Sequence, residues 1–307
     1  MIVSAAGIGA QWFLNGANNL QNQILKTSNA LSSGYQVNSA ADVPQQTSAL
    51  VDLGSQLSTL QTYQTNLSSV QSEAQTADQT LGTAINLVQN AQSIASQATG
   101  ITITPAQMQN MASVIQGIQQ QMVTLANTNV AGRYIFGGDQ GAAPYQYDAT
   151  STTNGVDQLT TQTATYAFVN PTGQTIYQPL TATQIFDNQD SLGMPTANNV
   201  FVALQSLTTA LQNNDTTGIQ NALSSLDTVS GWLNQQQGYY GTTEQRITTE
   251  QNTVASQITT VQTSIGAIRD TDMVKAATDL SQETTAQSAA YEAQAAISKK
   301  SLFDYLG

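Results

Sequence analysis

The carboxylate pairs are the first place to look for chemistry in this 307-residue chain, because it has neither histidine nor cysteine. The commonest general base and the best nucleophile are therefore missing, and catalysis would fall to Asp, Glu, Lys, Tyr or Ser. Two pairs are closely spaced. Asp270 and Asp272, in IRDTDM, could share acid and base roles, but residues two apart on a helix point about 200° from one another. They suit a helix break in which Asp caps the next helix. Asp187 and Asp190, in FDNQDSLG, lack the regular ligand spacing and final Glu of a calcium loop. FGGDQG, 136 to 141, is not set between a strand and a helix as a phosphate loop would be, and Gly137-Gly138 reads as the end of an element. No metal or organic cofactor is indicated, and an enzyme is not expected.

The composition points the same way. Charged residues make up 8% of the chain, against about 25% in an ordinary soluble domain, and Gln, Asn, Ser and Thr take their place. From Gln79 to Gly132 no residue is charged. Seven basic residues against 19 acidic give a net charge of −12, which argues against nucleic acid or an anionic membrane as partner. No run of about 18 apolar residues exists to span a membrane. The first cation is Lys26, so a cleaved secretory signal is not expected at the N-terminus.

Long helices must position whatever function these residues serve. Phe13, Ala17, Leu20, Ile24, Thr27 and Leu31 step by three and four, a heptad seam, over a first helix of residues 1 to 33. Gly34 then closes the helix, Asn38, Ser39 and Asp42 can bond to local backbone, and Pro44 blocks continuation. From Leu50 to Ala95 the seam resumes through Leu53, Leu57, Leu60, Leu67, Leu81 and Val88 as one very long helix that stops at Thr99-Gly100. A third helix begins at TPAQ, with Thr104 as cap, Pro105 at its first position and Gln107 completing a capping box. Its seam includes Ile115 and Ile118. Near the other end come a short helix at about 198 to 213 and a separate one around Ile219 to Leu233. A further seam runs through Ile247, Val254, Ile258, Val261, Ile265 and Ile268.

Between Tyr134 and Phe186 the texture changes. Helical periodicity is lost, aromatic residues concentrate, and TATYAFV-NPTG-QTIYQPL reads as a hairpin turning at Asn170, Pro171 and Gly173. Tyr145, Tyr147, Tyr166 and Tyr177 could form an exposed glycan-binding face, although aromatic residues in a small β-domain more often form its core. The fold class expected is mainly α with a small β-domain: an elongated bundle of long helices built from both chain ends, with a β-rich outer domain inserted in the middle. Three parts follow: 1–40 with 270–307, 41–133 with 196–269, and 134–195. The Ala-rich segment 286 to 297 would be marginal alone and needs neighbours, so the chain ends look like the interior of a polymer.

At this point the residues carry a resemblance. SSGYQVNSAADVP with the helix after it, VQNAQSIASQATG, IRDTDMVKAATDLSQ and the closing SLFDYLG resemble the terminal regions of the bacterial flagellin superfamily in order and spacing. Within it, Asp42-Val43-Pro44, GRYIFGGDQG and FDYLG are similar to the hook-filament junction family (hook-associated protein 3, FlgL). The resemblance implies a structural adaptor that forms a ring of copies between hook and filament, with a short flagellin as the alternative. It also implies neighbouring axial proteins on the hook and filament sides, an export chaperone, type III export without cleavage and an extracellular location in the flagellum. Phe13, Leu20, Ile24, Leu31, Ala290, Ala293, Ile297, Leu302, Phe303 and Leu306 would then serve self-assembly and partner contact. Gly34, Asn38, Asp42 and Pro44 would be the family's turn motif.

Overall fold

The computed structural model describes residues 2–38, 44–100, 103–163 and 166–300. In order the helices are α1 (Ile2–Ser33), α2 (Thr47–Ala98), α3 (Pro105–Ala126), the short α4 (Ala182–Ile185), α5 (Val200–Gln212), α6 (Thr216–Arg269) and α7 (Met273–Lys300). Six short strands lie between α3 and α4, and they pair as three antiparallel two-stranded ladders. These are β1 (Asn129–Val130) with β2 (Arg133–Tyr134), β3 (Tyr145–Tyr147) with β4 (Val156–Gln158), and β5 (Phe168–Val169) with β6 (Thr175–Tyr177). The chain forms two compact units, residues 1–62 with 255–307 and residues 63–254.

The larger unit, 63–254, holds the deep core. Along α2 the seam residues Leu67, Val70, Ala74, Ala77, Leu81, Ile85, Val88, Ala91 and Ala95 are all buried. Each fully buried Leu or Val contributes about 1.5–3 kcal/mol relative to exposure, so this stripe alone accounts for a helix of such polar composition. Helix α3 starts as its residues dictate. Thr104 caps it, Gln107 returns the bond to the Thr104 backbone, and Pro105 occupies the first turn. Ile115, Ile118 and Met122 then bury against α5, which Asn199 caps through Val202 N–H.

The structure corrects one expectation. Residues 219–233 and 247–268 do not belong to two helices; α6 is continuous over 54 residues. The polar stretch NQQQGYYGTTEQR reads as an interruption by hydropathy, yet its Gln236, Tyr240 and Thr243 are buried and continue the steps from Leu233 to Ile247. Tyr240 accepts the Leu180 N–H at 3.1 Å, Tyr239 donates to the Gln178 carbonyl at 2.6 Å, and Trp232 donates to Ile185 O at 3.0 Å. At Tyr240 the seam meets loop backbone, which offers hydrogen-bonding groups rather than methyls, with Tyr239 and Trp232 bonding backbone beside it.

The strand-bearing region is fastened to the same unit by polar and aromatic anchors. Glu73, buried on α2, forms an ion pair with Arg133 of β2 and accepts the Tyr177 hydroxyl at 2.9 Å. Tyr63 stacks on Phe168 at 5.4 Å and donates to Glu250 at 3.1 Å. The β5–β6 turn is spelled by its residues: Gly173 N–H donates to Asn170 O at 2.9 Å, and Asn170 Oδ1 accepts from Thr172 and Gln174 N–H. Along the long helices, threonine hydroxyls turn back on their own helices, most of them on exposed faces. Thr76, Thr80 and Thr83 on α2, and Thr248, Thr253, Thr259 and Thr263 on α6, each donate to the carbonyl four residues earlier.

Candidate functional site

In the other unit, the turn after α1 meets the turn between α6 and α7. Gly34 sits at φ +78°, a conformation open to glycine at little cost, and its N–H closes α1 on Ala30 O at 2.9 Å. Thr271 N–H donates to Gly34 O at 2.9 Å, and Gln36 N–H donates to Arg269 O at 2.8 Å. The Gln36 amide adds a bond to Ile268 O at 2.9 Å. The Arg269 guanidinium lies 4.1 Å from the centre of the Tyr35 ring and bonds Asp270 at 3.2 Å. Asn38 donates to Tyr35 O at 3.1 Å, which ties the turn to itself. Two turns far apart in sequence thus satisfy each other's backbone, and the residues of GYQVN have a partner that local sequence does not reveal.

The carboxylates of IRDTDM are spent on this clamp. Asp270 backs Arg269, while Asp272 Oδ1 accepts the N–H groups of Val274 and Lys275 at 3.0 Å each and caps α7. A cavity of about 290 Å³ beside the clamp is lined by Lys26, Thr27, Gln36, Asp272, Lys275 and Asp279, among others. Lys275 pairs with Asp279 at 2.5 Å, and that bond raises the Lys275 pKa.

Helices α1 and α7 pack together. Phe13, Ala17, Leu20, Ile24, Thr27 and Leu31 are half-buried, with Ala30 buried beside them. On α7 the half-buried positions that step along the seam are Leu280, Glu283, Gln287, Ala290 and Gln294, continuing from buried Ala276, with Asp279 half-buried beside them. Phe13 meets Tyr291 edge-on at 6.1 Å, Gln287 donates to Gln21 at 2.7 Å, and Thr27 donates to Glu283 at 3.3 Å. Large apolar side chains remain exposed on both helices, Trp12, Leu14 and Leu25 on α1 and Met273, Val274 and Tyr291 on α7.

Of the residues expected to serve assembly, Phe13, Leu20, Ile24, Leu31 and Ala290 therefore lie on the α1–α7 seam, and Ala293 is exposed off it. The side chain of Ile297, and Asp42, Leu302, Phe303 and Leu306, lie outside the described residues, while Pro44 is exposed at the start of the turn into α2. Among the core positions in this unit, Leu60 and Val261 are buried and Leu53, Leu57, Ile258 and Ile265 half-buried. Leu67, Leu81, Val88, Ile115, Ile118 and Val254 are buried in the other unit. The polar members of the α7 seam were not anticipated; extending the heptad from Ala276 through Glu283 would have found them.

In the middle region Tyr145 and Tyr177 are each 1% exposed, so these two follow the commoner reading and form core rather than an exposed glycan-binding face. Asp187 is buried in the loop that follows α4. It accepts Asn199 Nδ2 at 2.7 Å, Gln189 Nε2 at 2.8 Å and the Tyr145 hydroxyl at 3.1 Å. Burial raises its pKa, partly offset by those bonds. Asp190 instead orders an exposed turn by accepting Leu192 and Met194 N–H at 2.9 Å each. The glycines of FGGDQG have a steric role: Gly138, at φ +64°, could not carry a Cβ, which would fall 2.4 Å from Thr163 O. Among the described residues no helix is long and apolar enough to cross a membrane.

Long helices from both chain ends, clamped at their turns, with a strand-bearing region inserted between them in the chain, define a class of helical structural subunit. The family model of the bacterial flagellin N-terminal helical region matches residues 8–140, and that of the C-terminal helical region matches residues 219–306. The chain belongs to the bacterial flagellin family and is a structural protein of the flagellum. No curated protein matches it. Among solved structures, FlgL of Bacillus cereus is 18% identical, with a TM-score of 0.55, over 70% of this chain and 98% of that one. A Vibrio parahaemolyticus protein assigned as flagellar hook-associated is 14% identical, with a TM-score of 0.64, over 75% of this chain and all of the other. This chain shares their fold.

Proposed function

We propose that the chain is the junction adaptor that joins hook to filament, assembling as a ring of identical copies. The observation that carries this is the brevity of the inserted region: only the β3–β4 and β5–β6 ladders, α4 and α5 lie between the parts matched by the two family models, residues 8–140 and 219–306. In this role the terminal segments, 1–40 with 270–307, line the inner tube. Residues 41–133 with 196–269 bear on hook-side and filament-side neighbours, and 134–195 face outward. The chain is exported unfolded through the flagellar type III apparatus, with a chaperone holding its apolar ends, and works outside the cell.

The flagellin family models at both ends favour a second role, a short flagellin that builds the filament itself. Deleting the gene separates the two. Loss of an adaptor leaves filament subunits secreted but unattached, whereas loss of a flagellin leaves no such subunits in the medium. Purified chain seeded with filament fragments gives the complementary result: long tubes grown unaided would overturn the adaptor role, and monomers or short rings support it.

A further inference from the structure

The α1 seam facing α7 is apolar except at one position. Phe13, Ala17, Leu20, Ile24 and Leu31 offer nothing to a polar group, and Thr27 offers a hydroxyl. The α7 seam, stepping 276, 280, 283, 287, 290 and 294, carries one carboxylate, Glu283. These two meet, with Thr27 Oγ1 donating to Glu283 Oε1 at 3.3 Å. Glu283 Oε2 is shielded from solvent and accepts nothing among the described residues. The side chain is thus already short of partners, and loss of the Thr27 bond would strand it entirely.

We propose that Thr27 and Glu283 pin the register of α1 against α7. The Gln21–Gln287 bond is exposed and can be exchanged for water, and the small and aliphatic positions replace one another with little change in fit, so neither fixes the alignment. A slide of one heptad sets Glu283 opposite Leu20 in one direction, and opposite Gly34, past the end of α1, in the other. The first burial leaves a carboxylate without any donor, and the second takes α7 off the helix it packs on. The pin therefore acts by penalising wrong alignments, as a single buried polar residue does in a coiled coil. It holds for either flagellar role, because it concerns two helices of one chain.

The absence of native cysteine makes a direct test possible. Two variants are prepared, F13C/Y291C, which reports the observed register, and F13C/T284C, which reports a slide of one heptad. Each is treated with a short thiol-reactive cross-linker, and the intramolecular product is quantified from single-chain species. The native background should favour F13C/Y291C by about tenfold or more, as stranding a shielded polar group predicts. Adding T27V/E283L should bring the two yields close to equal, while E283Q, which still needs a donor, should retain the preference. Helical circular dichroism confirms that each variant folds. Unchanged selectivity in T27V/E283L, equal yields in the native background, or no F13C/Y291C product would each overturn the proposal.

Discussion

Ile24→Asp should leave the melting curve of the free chain almost unchanged and abolish its assembly. Among the described side chains of α1 and α7, only Ala30 and Ala276 are buried apolar residues, whereas the larger unit buries Leu67, Leu81, Ile115 and Leu204 at 0% exposure. Ile24 is half-buried, so its contact with α7 stabilises the monomer by about 1 kcal/mol, roughly half the value of full burial. Aspartate forfeits about that much, because its short side chain at a half-buried position can turn to solvent, unlike Glu283, whose Oε2 is shielded. Leu81→Ala is the control and should cost about 2.7–5 kcal/mol through lost transfer and an unfilled cavity. In an assembly whose interior is built from these helices, the introduced carboxylate loses its water and costs roughly several kcal/mol per copy. Thermal unfolding followed by helical circular dichroism measures the first effect, and sedimentation after seeding measures the second. Equal melting losses for the two variants, or undiminished assembly of Ile24→Asp, would refute the division between a self-sufficient unit and ends completed by neighbours.

Gly34→Ala should destabilise the clamp by about 1–2 kcal/mol through its left-handed conformation alone, since an added Cβ meets nothing within 4 Å; hydrogen exchange of the Gln36 and Thr271 amides would report it. Tyr240→Phe should cost about 1–3 kcal/mol, because it strands the Leu180 N–H on a fully buried ring, and denaturant unfolding would measure the loss. Asp187 gives a pH dependence whose sign is fixed. Its pKa is raised on folding, so its protonated form favours the native state; that contribution is complete below the unfolded value of about 3.9 and is lost as pH rises through the folded value. Melting temperatures across this mildly acidic window should fall in the native protein relative to Asp187→Asn, and parallel curves would contradict the assignment.

Periodicity was a good guide wherever burial was apolar. Every seam position named on α2 is buried or half-buried, and TPAQ spelled the start of α3 residue by residue. It failed where the buried surface was polar. Gln236, Tyr240 and Thr243 are core positions that hydropathy cannot recognise, since Tyr240 accepts from a loop amide and Thr243 donates to the Tyr239 carbonyl of its own helix. The same applies to Asp187, whose neutral donors come from β3, its own loop and the cap of α5. The clamp was half legible. Gly34 announced a turn and Asp272 a cap, but their meeting depends on folding that brings Gly34 and Thr271, 237 positions apart, into hydrogen-bonding distance.

The threonines that bond back onto their own helices change what those helices present to the outside. A hydroxyl committed to the carbonyl four residues behind has no proton to offer water, and the methyl group beside it remains. A surface that is hydrophilic by residue count is therefore sparse in charge and has fewer free hydroxyl donors than its threonines suggest. Two such surfaces meeting would strip off little tightly held hydration, and little ordered water would have to return when they part. Contacts of that kind form and release with small barriers.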